Sequence, residues 1–142
     1  YLRLHFGIEE VEVFKVMFMD AQNRLIACED MARGTTTQTA VYPREIVRAA
    51  LRHNSSSVIF AHNHPSGVAN PSSADIVLTA ALKNALALVD VRVCDHFVVG
   101  AGEMYSIEEE RMLAGMRADV KTNTKETGKP QKRATGKVKA TL

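Results

Sequence analysis

The sequence predicts an α/β chain of the α+β kind, a mixed β-sheet sandwiched by helices. Three observations carry that prediction. Residues 11–19 alternate in the period of a strand, yet both faces are largely apolar, as in a strand covered on two sides. Two short apolar stretches, Ser57–Ala61 and Val91–Val99, have the length of buried strands. Between them lie segments of helical period, so the order is strands, helix, strand, helix, strand, helix.

In the first strand Val11, Val13, Lys15, Met17 and Met19 share one face, and Glu12, Phe14, Val16 and Phe18 the other. Asp20-Ala21-Gln22-Asn23 reads as a turn leading into a second strand from Arg24 to Cys28, which makes a hairpin. Residues 33–41 are Thr-rich and suit an extended segment. Pro43 opens a helix in which Ile46, Val47, Ala50 and Leu51 recur at helical spacing, and His53-Asn54-Ser55 ends it. The strand Ser57–Ala61 stops at His62-Asn63-His64-Pro65-Ser66-Gly67, where proline and glycine break it. Pro71-Ser72-Ser73 opens a long apolar helix to about Val89, Val91–Val99 is a strand, and Glu103–Ile107 can pair beside it. A last helix covers 107–118.

With 142 residues, 46% hydrophobic and 24% charged, the chain suits one globular domain that folds without staples. No apolar run is long enough for a membrane span, and no basic-then-apolar leader is visible. Cys28 and Cys94 show no CxxC or CxxH spacing, so they read as two reduced, buried thiols of a cytoplasmic protein, and a cysteine-based zinc site is disfavoured. The net charge of +2 hides an asymmetry. Residues 121–142 hold seven of the 18 basic residues and one of the 16 acidic ones, leaving eleven and fifteen in 1–120. The domain is therefore read as 1–118, mildly acidic, and 119–142 as a basic, disordered tail with almost no large apolar residues. Any nucleic-acid contact argued from charge would be weak, nonspecific and confined to the basic stretch 121–139.

Chemistry concentrates at 62–75. Residues i and i+2 of a strand share a face, so His62 and His64 can reach one point where a buried strand emerges into a turn. Eleven residues on, Asp75 stands in the first turn of the next helix, and Gly67 allows the intervening loop to turn tightly. Two imidazoles and a carboxylate are three zinc ligands that leave the fourth position open, as in catalytic sites. Each piece has a plainer reading. An HxH pair is often chance, and Ser72-Ser73-Ala74-Asp75 fits a capping box that by itself explains Ser72 and Asp75. A ligand can nonetheless occupy a helix's first turn, so cap and metal site are compatible.

His62-x-His64-Pro65, six residues, then Ser72-x-x-Asp75 resembles the JAMM signature of MPN+ metalloproteases. Around it, Phe18-Met19-Asp20, Asn23-Arg24-Leu25-Ile26, Arg33-Gly34-Thr35, Pro43-Arg44-Glu45-Ile46, His62–Gly67, Pro71-Ser72, Ala74-Asp75 and Asp95–Gly100 resemble the bacterial RadC family over about residues 1–110. The resemblance implies a JAMM/MPN fold, which is related to that of cytidine deaminases, and one Zn2+ per chain on His62, His64 and Asp75. It implies Glu12 as general base, with Glu9 and Glu10 as rivals in sequence, and Ser72 as donor to the oxyanion of an amide substrate. It further implies that Asp95 or His96 hydrogen-bonds a metal ligand from behind. The plainer alternative there, a satisfied core pair, is slightly preferred, and His5 and His53 read as surface residues.

The activity implied is hydrolysis of a peptide or isopeptide bond in an unknown protein or peptide substrate, with no membrane involved. The alternative is a nucleic-acid-associated accessory protein with a non-catalytic JAMM fold, because the RadC family carries a historical DNA-repair label. Longer members have a helix-hairpin-helix-like region ahead of this domain, and the resemblance is therefore read as one to a short form without it. A nucleobase deaminase is set aside, because its His-x-Glu and Pro-Cys-x-x-Cys elements are missing.

Overall fold

Five strands form one mixed sheet in the order β2-β1-β3-β4-β5. They are β1 (Glu12–Met19), β2 (Leu25–Gly34), β3 (Ser57–Asn63), β4 (Arg92–Val99) and β5 (Met104–Ser106). The computed structural model describes residues 10–34 and 40–126, with side chains to 117. Most of the Thr-rich stretch and all of 127–142 thus lie outside the described residues, as do His5 and Glu9. Contacts divide the chain into two units, Tyr1–Glu110 and Arg111–Leu142.

The β1–β2 hairpin is turned by Asp20, whose Oδ1 accepts from the backbone N–H groups of Gln22 and Arg24 at 2.9 Å each, while Asn23 takes a left-handed φ of 60°. β2 runs on to Gly34, beyond the Cys28 expected from sequence, because its pairing with β1 continues to Glu12↔Gly34. β1 also pairs antiparallel with β3, and β3 parallel with β4.

Helix α1 (Pro43–Arg52) starts on Pro43, whose missing N–H costs nothing there, and ends where Asn54 adopts φ 51° and Ser55 N–H returns to the Ala50 carbonyl. Helix α2 (Ser73–Ala87) forms the crossover between β3 and β4. Phe14, Val16 and Phe18 of β1, Val58 and Phe60 of β3 and Val93 of β4 pack against Ile46, Ala49 and Ala50 of α1 and Leu82 and Leu86 of α2. The opposite face of the sheet carries a smaller cluster, Val13, Ala61 and Val99.

Helix α3 (Ile107–Glu126) begins with Ile107 buried, and from Arg111 it belongs to the second unit. It passes Asp119, where the sequence places the start of the tail; a helix satisfies its own backbone and needs no core to continue for two turns. His53 is not a surface residue. Its ring packs 4.8 Å from that of Phe18 and its Nε2 lies 3.2 Å from Glu29, because the end of α1 folds back onto the hairpin. Cys28 and Cys94 are not joined in a disulfide, and both are half-buried rather than buried. Among the described residues no helix is long and apolar enough to cross a membrane.

Candidate metal centre

β3 carries His62 two residues beyond Phe60 on the helix-covered face, and Phe14 of the neighbouring strand stacks on its ring at 6.1 Å. His64 follows the strand's last residue, held by its N–H on the Val99 carbonyl at 2.9 Å. Asp75 enters from α2. There the capping box forms in full: Asp75 N–H donates to Ser72 Oγ (3.1 Å), and Ser72 N–H donates to Asp75 Oδ2 (2.8 Å). The cap therefore aims the carboxylate rather than competing with a metal role. His62 Nε2 lies 3.0 Å from His64 Nε2 and 3.3 Å from Asp75 Oδ1, and His64 Nε2 lies 3.2 Å from Asp75 Oδ2. The three residues form a group able to hold a metal ion.

The hydrogen bonds behind the ligands decide which atoms face the centre. His64 Nδ1 sits 2.9 Å from the Val68 carbonyl, an acceptor only, so Nδ1 carries the proton and Nε2 presents its lone pair. His62 is set by a longer chain. Thr79 Oγ1 donates its hydrogen to the Asp75 carbonyl (2.7 Å), so it accepts from His96 Nδ1 at 2.6 Å. Burial pushes the His96 imidazole down to about 3, so the ring is neutral and its Nε2 is an acceptor. That nitrogen receives the proton of His62 Nδ1 at 2.7 Å, and His62 Nε2 in turn faces the centre.

Two imidazole lone pairs and a carboxylate thus converge with no donor among them. Such a cluster needs a cation, either a proton or a metal ion. Burial alone would raise the Asp75 carboxyl, but the hydrogen bond it accepts from His62 when a proton occupies the centre, together with that from Ser72 N–H, outweighs it and holds the group far below the usual range. The donor set, two nitrogens and one hard oxygen, suits zinc, and the group fits these residues.

A cavity of about 550 Å³ opens over this cluster, lined by Glu12, Ser72 and the three ligands, with Phe14, Val41 and Leu78 as apolar wall. Glu12 shares the face of Phe14 at the start of β1. Burial pushes its carboxyl above the usual range; His62 and His64 pull the other way without cancelling it, and the Asp75 charge adds to the rise. Glu10, its rival in sequence, is exposed at a bend. Ser72 spends an oxygen lone pair on its cap, which leaves the hydroxyl hydrogen free to donate toward the cavity.

His96 N–H donates to Asp95 Oδ1 at 2.7 Å, but the two side chains have different further partners. His96 touches His62, whereas Asp95 accepts from Ser106 Oγ (2.6 Å) and Glu108 N–H (3.3 Å) and ties β4 to the corner before α3. The sequence reading missed Thr79, although Asp75 and Thr79 are four apart and so share a helix face. It also missed Asn63 and the Val68 carbonyl, for which sequence carries no signal.

The model of the RadC-like JAB domain matches residues 1–112. The chain is 62% identical over 113 residues to a UPF0758 protein of Janthinobacterium sp. (strain Marseille) and 59% identical to one of Chromobacterium violaceum. It is 58% identical to another of Nitrosospira multiformis, and each match covers 80% of this chain and 50% of the relative. The chain spans about half the length of these curated relatives. With residues 1–112 matched by the family model, about four-fifths of its length, the chain belongs to the RadC-like JAB domain family.

Proposed function

We propose that this domain is a zinc-dependent hydrolase that cleaves a peptide or isopeptide bond, with His62, His64 and Asp75 holding one Zn2+. The observation that carries this reading is the acceptor-only cluster, whose two imidazoles are locked from behind so that both Nε2 lone pairs meet one carboxylate. A bound zinc ion supplies Lewis acidity and lowers the pKa of a water toward about 7.

The chain's own groups do the rest. Glu12 takes a proton from the attacking water as its oxygen bonds to the substrate carbonyl carbon. As the C–N bond breaks, Glu12 returns that proton to the leaving nitrogen, giving an acid and an amine. Its raised pKa suits both halves of that task. The Ser72 hydroxyl donates to the substrate oxygen as negative charge builds on it. Phe14, Val41 and Leu78 keep the wall dry, which strengthens each of these interactions. The choice of an amide bond rests on family membership, since the same ligands serve other hydrolyses.

Metal content of the purified protein by mass spectrometry, beside a His62→Ala/His64→Ala variant, is the first test. About one zinc per chain in the parent and almost none in the folded variant is the expected result, followed by turnover of an amide substrate panel that Glu12→Gln lowers about 10²- to 10⁴-fold. A parent that takes up no zinc at neutral pH overturns the reading.

A further inference from the structure

Asn63, between the two histidines, has a side chain that points at neither of them. Backbone pairing of β1 with β3 ends at Phe14↔His62. Beyond that pair the β3 chain turns its hydrogen bonding toward β4, with His64 N–H on Val99. The first residues of β1 would therefore lack a partner on that edge. Asn63 supplies one. Its Oδ1 accepts from Val13 N–H at 2.7 Å, and its Nδ2 donates to the Val11 carbonyl at 2.9 Å. A primary amide offers the same acceptor and donor as a peptide group, so the side chain extends the ladder by one step. The side chain is well buried, at 6% residue exposure, so neither bond is shared with bulk water.

The two backbone groups it grips flank Glu12. Residues 11 and 13 turn their polar groups to one edge of the strand, and residue 12 turns its own to the other, where it pairs with Gly34. Glu12 is the first residue of β1 and is thus clamped from both edges, by β2 on one side and by Asn63 on the other. The clamp fixes which face its carboxylate points to.

We infer that Asn63 is a positioning residue for Glu12, tying the general base to the same strand end that delivers both histidine ligands. This rests on the reading of Glu12 as base. One β3 segment, His62-Asn63-His64, then sets three of the five site groups in one frame: two ligands directly and the base through an amide clamp.

The test uses the full chain with Asn63→Ala and Asn63→Asp. The Asp variant keeps the acceptor for Val13 N–H but sets an oxygen against the Val11 carbonyl, and it is close to isosteric, so it serves if the Ala variant fails to fold. Hydrogen exchange at Val13 N–H is expected to be slow in the parent and about tenfold or more faster in Asn63→Ala. Zinc stoichiometry is expected to hold in both variants. Turnover is expected to fall about a hundredfold through kcat rather than KM, and Asn63→Ala placed on Glu12→Gln is expected to add no further loss. Multiplying losses, or unchanged Val13 exchange in Asn63→Ala, overturns the inference. The exchange arm needs no turnover. A parent with a protected Val13 but no activity would sink the hydrolase reading and keep the clamp, while a rapidly exchanging Val13 in the parent would sink the clamp alone.

Discussion

At the residue scale the centre is built from hydrogens as much as from ligands. His62 presents its lone pair only because His96 is neutral and because Thr79 has given its hydrogen to the Asp75 carbonyl. Thr79→Val removes that relay without changing the side chain's shape. His96 can then protonate on either nitrogen, and zinc affinity is expected to fall about 10- to 100-fold in a competition titration with a chelating dye; an unchanged affinity would show that the relay is idle. Glu12 gives a prediction of opposite sign for stability and activity. Its pKa is raised in the fold, so the protonated form is favoured, and that contribution is lost as pH rises through the folded pKa. At neutral pH the ionised group therefore opposes folding. Glu12→Gln is expected to raise the melting temperature of the metal-free protein while lowering turnover about 10²- to 10⁴-fold. In the parent, the acid limb of the pH–rate profile is expected above the ordinary carboxylate range, and a limb at the ordinary position would contradict the burial argument.

At the scale of elements, two features position the ligands. β4 carries an extra residue, Cys94, between the partners of Val58 and Ile59, so that Val93 and His96 both face the helices. Without this bulge, alternation would send His96 to the opposite face, away from His62. The loop after β3 is seated on the turn after β4. Gly67 has φ +85°, its carbonyl accepts from Ala101 N–H at 3.0 Å, and a Cβ on Gly100 would overlap that carbonyl oxygen and press on Ala69. Gly100→Ala forces the loop outward and moves the Val68 carbonyl that orients His64. The expected cost is about 1–3 kcal/mol of stability in chemical denaturation, together with weaker zinc binding. A variant of full stability and full affinity would show that the loop has slack.

For the whole molecule, the ligands come from β3, the loop after it and α2, so an ion joins segments that must all be folded to meet. An ion that binds the native state and not the unfolded chain stabilises by about 4 kcal/mol at a thousandfold excess over its Kd. Adding zinc to the metal-free protein is expected to raise the melting temperature by several degrees. The His62→Ala/His64→Ala variant is expected to show no such rise, and an equal rise in both would place the ion elsewhere. α2 is apolar on nearly every side, with Ile76 and Val77 exposed and Leu88 exposed at its C-cap, which is why its sequence reads as a buried helix although one side of it meets solvent.

Local rules settle much of this protein from the chain alone. Alternation in β1 places Glu12 and Phe14 on one face, Pro43 and Asn54 bound α1, and the Ser72–Asp75 box starts α2, because each depends on neighbours within a turn or a pleat. His62, His64 and Asp75 are legible for the same reason: they lie within fourteen residues of one another, on a strand end, a loop and a helix start. What only the tertiary structure decides is what stands behind them. His96 comes from 34 residues beyond His62, Asn63 grips backbone atoms 50 and 52 residues earlier, and Gly100 seats against a loop more than 30 residues upstream. Hydrogen bonds of that range depend on register, a bulge and side-chain protonation. None of these leaves a periodic trace in the sequence, so the atoms that aim the site stay hidden until the sheet is assembled.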